Sequence, residues 1–140
     1  MWQGEGEVAE LSESQCWDLL RENELGRIAT SVGGVVDIFP INYYADGSTI
    51  LFRTTPGTKL VELTTNEEVA FEVDGHTDVE AWSVIAKGPA HAIERQSEIA
   101  AADAMPLHPW IPTLKYRFVR ITPGSLSGRR FQRAPEPDRY

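Results

Sequence analysis

The chain has 140 residues, of which 41% are hydrophobic and 24% charged, and its formal net charge is −8. This length and composition fit one soluble domain with its own core. The negative charge disfavours proteins that bind nucleic acid or an anionic membrane surface. The single cysteine, Cys16, excludes an intrachain disulfide, and no apolar run is long enough to span a membrane. We therefore expect a cytoplasmic protein.

The N-terminal region predicts one helix after a flexible segment. Residues 1–10 are rich in Gly and Glu and are predicted to be a mobile lead-in. Ser12 and Gln15 then have the spacing of a capping box. Cys16 lies on the apolar stripe that follows, which favours a core position over a nucleophile. Gly26 is predicted to end this helix.

The rest of the chain alternates short apolar strands with turn residues. Gly33-Gly34 and Asp46-Gly47 are hairpin signals, and Pro40 marks an edge or a bulge inside the second strand. Helices are predicted after Lys59 and over 95–104. The predicted strands are 27–32, 35–44, 49–52, 68–74, 81–93, 115–121 and 125–131. This pattern predicts a mainly β fold with a few helices, built as an antiparallel barrel.

The turn after the third strand carries the clearest chemistry in the sequence. Arg53 and Lys59 flank a bend at Pro56-Gly57, and a helical pattern begins directly afterwards. Its hydroxyls come from Thr54, Thr55 and Thr58. Free backbone N–H groups and the helix dipole favour an anion at such a position. The residues alone thus leave two interpretations open, an anion site and a solvated polar turn.

Several motifs occur in an order that carries more information than any one of them. They are GRIA at 26–29, PINY at 40–43, FRTTPGTKL at 52–60, VAFEVD at 69–74, WSV at 82–84, GPA at 88–90, LHPWIP at 107–112, FVRI at 118–121 and SGRR at 127–130. This set resembles the pyridoxamine 5′-phosphate oxidase-like family of FMN-binding split barrels, in its short actinobacterial form. The resemblance covers about residues 11–131, which we expect to be the domain, with a flexible tail at 132–140.

The resemblance implies a split β-barrel of six to seven antiparallel strands, assembled as a homodimer with FMN at the interface. Arg53 and Lys59 would hold the phosphate, with hydrogen bonds from Thr54 and Thr58. The isoalloxazine ring would be lined by Pro40, Ile41 and Asn42. Trp82 and Ser83 would lie on the strand that closes the pocket, although a core position for Trp82 is equally open.

Two classes of function compete at this stage. The first is an FMN-dependent oxidoreductase acting on a small organic substrate, with a quinone or a nitro compound as a possible acceptor. The second is a flavin-binding carrier or sensor without turnover. A variant of the first uses the deazaflavin F420, whose polyanionic tail needs more cations, for which the candidates are Arg129, Arg130 and Arg133. The substrate-side candidates are His108, Trp110, Arg129 and Arg130. No catalytic residue is assigned, and the scattered histidines predict no metal site.

Overall fold

The computed structural model describes residues 8–108 and 117–133, which contain eight strands and three helices. In chain order the elements are β1 (Val8–Glu10), α1 (Glu13–Glu22), β2 (Leu25–Val32), β3 (Val35–Ala45), β4 (Ile50–Thr54), α2 (Thr58–Thr65), β5 (Glu68–His76), β6 (Glu80–Ala92), α3 (Gln96–Asp103), β7 (Arg117–Ile121) and β8 (Ser125–Gln132). None of the three helices is long and apolar enough to cross a membrane, within the residues described.

The strands form a closed antiparallel barrel with two additional strands. Their order is β1-β8-β6-β5-β2-β3-β4-β7, and β7 pairs again with β6 to close a ring of six. The strand that divides the sheet is β6, which is 13 residues long. Its first part, 80–87, pairs with β8, and its last part, 90–92, pairs with β7. The predicted split barrel is therefore confirmed.

Helix α1 covers the inner side of the sheet at β8. The capping box is present, because Gln15 N donates to Ser12 Oγ at 3.1 Å and Ser12 N donates to Gln15 Oε1 at 2.8 Å. Cys16 and Leu20 are fully buried in the core, as the apolar stripe predicted for Cys16. The hydroxyl of Tyr43 donates to the Leu20 carbonyl at 2.7 Å and ties α1 to β3. Burial thus makes Cys16 a packing residue, and its pKa is raised by that burial and by Glu13.

Two predictions at the N-terminal side were wrong. Helix α1 ends at Glu22 with Asn23 as its C-cap, and Gly26 lies inside β2. A Cβ at Gly26 would collide with the ring of Phe71, so the glycine allows a close approach and does not end the helix. The flexible segment predicted for residues 1–10 is also too long at its C-terminal end, because Val8–Glu10 form a strand that pairs with β8. That pairing adds a strand outside the barrel's ring of six, and its partner strand β8 is more than a hundred residues away in the chain.

Candidate functional site

The predicted anion turn connects β4 to α2. Strand β4 ends at Thr54, which is buried and donates its hydroxyl to the Thr55 carbonyl at 3.3 Å. Gly57 is the N-cap of α2, and a glycine has no side chain that could accept a hydrogen bond. No N-cap side chain therefore accepts from the first backbone N–H groups of the helix. Thr58 and Lys59 are the first two residues of that helix. The turn therefore combines a helix N-terminus with the residues predicted to bind phosphate.

Lys59 is directed back towards strand β3. Its Nζ lies 5.4 Å from the centroid of the Phe39 ring, which is within the range of a cation–π contact. Burial of Lys59 lowers its pKa, because the ammonium has lost part of its hydration. An anion placed beside Lys59 would restore favourable electrostatics for the charged form. Sequence reasoning did not single out Phe39, although it stands directly before the PINY motif.

Helix α2 is fixed to the barrel by polar contacts with β2. The Thr30 hydroxyl, which is buried, donates to Glu62 Oε2 at 2.6 Å. Asn66 Nδ2 donates to the Ser31 carbonyl at 2.7 Å. A hydrogen bond between the carboxyl groups of Glu62 and Asp37 raises the pKa of Glu62. These contacts hold the middle and the C-terminal end of α2 against β2.

Strands β3 and β4 separate next to this turn. They pair only at Tyr43–Phe52, Tyr44–Leu51 and Ala45–Ile50. Continuing that register would set Asn42 opposite Arg53, one position beyond the last pair of the ladder. On its other side, this part of β3 is paired with β2, at Pro40–Arg27 and Asn42–Leu25. The ladder between β3 and β4 therefore ends beside Pro40–Asn42 and Arg53, and we call this end of the ladder the opening between β3 and β4.

The second group of predicted residues lies elsewhere. Pairing of β6 with β8 brings Trp82 opposite Arg130 and Ser83 opposite Arg129. Strands β5 and β2 lie between this part of β6 and β3, since Ile85 is paired with Glu72, Glu72 with Arg27 and Arg27 with Pro40. At about 4.8 Å per strand, three such steps separate the two groups by roughly 15 Å across the sheet. A single protomer therefore does not bring Trp82 and Ser83 to Arg53 and Lys59.

Trp82 and Ser83 line an open cavity of about 520 Å³ at their end of the barrel. Trp82 is half-buried, and its indole packs over Gly75, where a Cβ would lie 2.7 Å from the ring. Arg133 Nη1 donates to the Thr77 carbonyl at 2.8 Å, which orients the guanidinium at this cavity. The remaining lining residues are Asp74, His76, Ala81 and Phe131. Trp82 is thus partly packed against the core and partly exposed to the cavity.

The remaining substrate-side candidates are spread over the surface. His108 is exposed at the end of the described segment, and Trp110 lies outside the described residues. Arg129 is exposed, and Arg130 Nε lies 3.9 Å from Glu80 Oε2. Within residues 8–108 and 117–133 no group of three His, Cys, Asp or Glu side chains is arranged to hold a metal ion.

A charged cluster on the outer face of the barrel was missed from the sequence. Arg27 Nη1 lies 3.3 Å from Glu72 Oε1 and 3.7 Å from Asp74 Oδ2. The pKa of Glu72 is raised to about 7 by burial and by the neighbouring Asp74, with Arg27 opposing the shift. The sequence does carry a signal for this cluster. Along β5, Glu72 and Asp74 alternate with the buried Val69, Phe71 and Val73, which places both carboxylates on the outer face.

Comparisons with known proteins agree with this architecture. The sequence profile of the family described as pyridoxamine 5′-phosphate oxidase matches residues 12–130. A structure from Corynebacterium glutamicum, classified with those oxidases, is 40% identical with a TM-score of 0.85 and covers 91% of this chain and 100% of its own. A structure named as the FAD-binding protein from Mycobacterium smegmatis is 42% identical with a TM-score of 0.79 and covers 90% of this chain and 100% of its own. An uncharacterised Mycobacterium tuberculosis protein is 43% identical over 93 residues, which are 66% of this chain and 84% of that protein.

Proposed function

The chain belongs to the pyridoxamine 5′-phosphate oxidase-like family, and from that membership we propose that it binds a flavin nucleotide, FMN, at the opening between β3 and β4. The observation that carries the proposal is the meeting of the Arg53–Lys59 turn with the Pro40–Asn42 part of β3. Two cations, a helix N-terminus and the hydroxyls of Thr54 and Thr58 suit a phosphate monoester.

The ring of the flavin fits the β3 side of the same opening. Pro40 has no N–H to donate and Asn42 is half-buried, so this edge combines an apolar surface with polar groups. Ile41 is buried behind them and fixes the strand. We assign Pro40, Ile41 and Asn42 to the ring and Arg53, Thr54, Thr58 and Lys59 to the phosphate.

FAD is the second candidate, because the 42% identical Mycobacterium smegmatis protein is named as an FAD-binding protein. Both nucleotides carry a phosphate on the ribityl chain, and riboflavin has none. F420 remains a third candidate, for which Arg129, Arg130 and Arg133 are the available additional cations.

A titration with riboflavin, FMN and FAD tests the proposal. The Arg53→Ala/Lys59→Ala variant should lose at least about a hundredfold in nucleotide affinity, since each charge-assisted hydrogen bond contributes about 1.5–3 kcal/mol. Riboflavin affinity should change little. The Arg21→Ala/Arg95→Ala variant removes the same charge from exposed positions and should bind normally. Equal wild-type affinity for riboflavin and FMN would contradict the phosphate assignment.

We further propose that the functional unit is a homodimer, because the two groups of predicted site residues lie at opposite sides of one outer face. Directly paired residues cross that face in the order Pro40, Arg27, Glu72, Ile85, Ser127. A two-fold axis along β2 and β5 would lay β3 of one protomer against β6 of its partner. Ser83 and Trp82 of one copy would then approach the β3 opening of the other.

The exposed apolar residues of this face support such an assembly. The large apolar side chains exposed on it are Leu25 (39%), Val36 (69%), Ile38 (65%) and Ile85 (38%). Several large exposed apolar side chains on one face are typical of association sites. Burying the face would also complete two equivalent flavin sites.

We propose that the protein is an oxidoreductase acting on a small organic acceptor of the quinone or nitro type. The bound flavin would supply hydride or electron transfer, while the residues of the chain bind, orient and shield it. The 520 Å³ cavity offers Trp82 for stacking on a planar acceptor and Arg133 for an anionic group.

Anaerobic stopped-flow reduction separates this enzyme from a carrier. Nicotinamide and reduced deazaflavin donors are mixed with the flavin-loaded protein, and a quinone or nitro compound is then added. An enzyme should be reduced faster than free FMN by at least one donor and reoxidised by an acceptor. If no donor reduces the bound flavin faster than free FMN, the carrier function is supported.

A further inference from the structure

We infer that self-association through the outer face of β2, β3, β5 and β6 is coupled to proton uptake by the Arg27–Glu72–Asp74 cluster. The inference rests on the homodimer proposed above. Its basis is the position of the cluster at the centre of that face and its imbalance of charge. Each protomer contributes two carboxylates and one guanidinium.

The geometry of the cluster follows from the sheet register. Glu72 is paired directly with Arg27 on β2 and with Ile85 on β6, and Asp74 lies two residues further along the same face of β5. Arg27 Nη1 contacts both carboxylates, at 3.3 Å and 3.7 Å. One guanidinium can neutralise one carboxylate, so the second carboxylate is stabilised by a proton shared with the first.

Other charged groups around Glu72 lie further away along the face. On β6, Lys87 is paired with Ala70, one pair beyond Glu72 on the same face, and on β8 Arg129 is paired with Ser83. On the α1 side, Arg21, Glu22 and Glu24 line a cavity of about 440 Å³ together with Arg27 and Asp74. These rim charges include both signs and lie at the solvent-exposed edge. They leave the excess negative charge at the centre, where a second copy would exclude water.

Burial decides the direction of the coupling. In the free protomer the pKa of Glu72 is already raised to about 7, mainly by burial. A docked second copy would remove more water and bring a like-charged cluster closer, and both effects raise the pKa further. The dimer therefore binds more protons than two protomers near and above pH 7. Its dissociation constant should rise with pH from about 7 upward and stay nearly constant well below that value.

Sedimentation equilibrium between pH 6 and 9 tests this coupling. With up to one proton taken up per protomer, the dissociation constant of the wild type should rise by about tenfold to a hundredfold per pH unit above pH 7. Glu72→Gln removes the titrating group and keeps the side-chain shape, so its dimer should be pH-independent and tighter than wild type at pH 8.5. Glu98→Gln makes the same substitution on the exposed surface of α3, outside the cluster, and should keep the wild-type slope.

The outcomes separate this inference from the proposed homodimer. A wild-type dimer whose dissociation constant does not change with pH overturns the proton coupling and leaves the dimer intact. A slope that survives in Glu72→Gln also overturns it, because another group then titrates. A monomer at every pH overturns both. If the wild-type dimer is too tight to dissociate, the same series is measured in an Ile38→Ala background, where the apolar contact is weaker.

Discussion

Phe39 illustrates at the residue scale how the barrel positions a charge for the proposed ligand. Its ring is partly buried against the core and lies 5.4 Å below the ammonium of Lys59. Without that ring, the lysine would be free to turn towards solvent, since its long side chain has many rotamers. The contact holds the cation at the opening and is compatible with a bound phosphate, which would approach the ammonium from the other side.

Replacing Phe39 should therefore affect nucleotides more than riboflavin. We expect Phe39→Leu to weaken FMN binding by about 2- to 30-fold, since a cation–π contact contributes about 0.5–2 kcal/mol. Phe39→Tyr keeps the aromatic face and should retain FMN affinity. The measurement is fluorescence titration of both flavins. An equal loss for riboflavin and FMN in Phe39→Leu would point to a packing effect and contradict the role in holding Lys59.

At the scale of elements, β6 decides how the sheet is divided. Its first part pairs with β8 and its last part with β7, so the strand changes partner near Gly88-Pro89. At this point the chain 122–124 crosses closely, and Gly124 N donates to the Lys87 carbonyl at 2.8 Å. A Cβ on Gly88 would meet the carbonyl oxygen of Thr122 and backbone atoms of Pro123 and Gly124. Backbone neighbours cannot move aside as a flexible side chain would.

Gly88→Ala should consequently destabilise the fold. We expect a loss of about 1–3 kcal/mol in the free energy of unfolding, the usual cost of forcing extra atoms into a packed site. Urea unfolding followed by circular dichroism measures it. Gly124→Ala is the matched control, because a Cβ there would make only an ordinary contact at 3.8 Å. Equal stability of the two variants would contradict this account of the strand crossing.

At the scale of the whole molecule, the proposed dimer combines residues that strands β2 and β5 separate within one chain. Its face is mixed, with apolar side chains surrounding the Arg27–Glu72–Asp74 cluster. The apolar part would contribute affinity, and the charged part would contribute specificity and pH dependence. Flavin binding and assembly should therefore be linked, since each site would use both protomers.

A charge placed on this face should break the assembly. Ile38→Lys adds an ammonium at a side chain that is 65% exposed in the protomer and would be buried in the dimer. We expect the wild type to be a particle of twice 15.6 kDa by light scattering and the variant to be monomeric, with weaker flavin binding. Val79→Lys makes the same change in a turn away from the face, where the side chain is 70% exposed, and should remain dimeric. A dimeric Ile38→Lys protein would exclude this face.

Much of the local structure was determined by the sequence itself. The capping box of Ser12 and Gln15 and the glycine turn at Gly33-Gly34, with φ of 57° and 82°, appear where the pattern predicted them. Helix α2 begins at Thr58, slightly before the helix that was predicted after Lys59. These features depend on residues that are neighbours in the chain, so their chemistry is visible locally. The ordered motifs also identified the family and its split barrel.

Only the tertiary structure decided which of these residues meet. The divergence of β3 from β4, the pairing of Val8–Glu10 with β8 and the approach of Phe71 to Gly26 depend on contacts between distant segments. The resemblance implied that Trp82 and Arg53 belong to one pocket at a dimer interface, and the strand order shows that β5 and β2 lie between β6 and β3 within a protomer. A strand pattern specifies which face a side chain occupies, but the partner strand and its register follow from how the whole barrel closes.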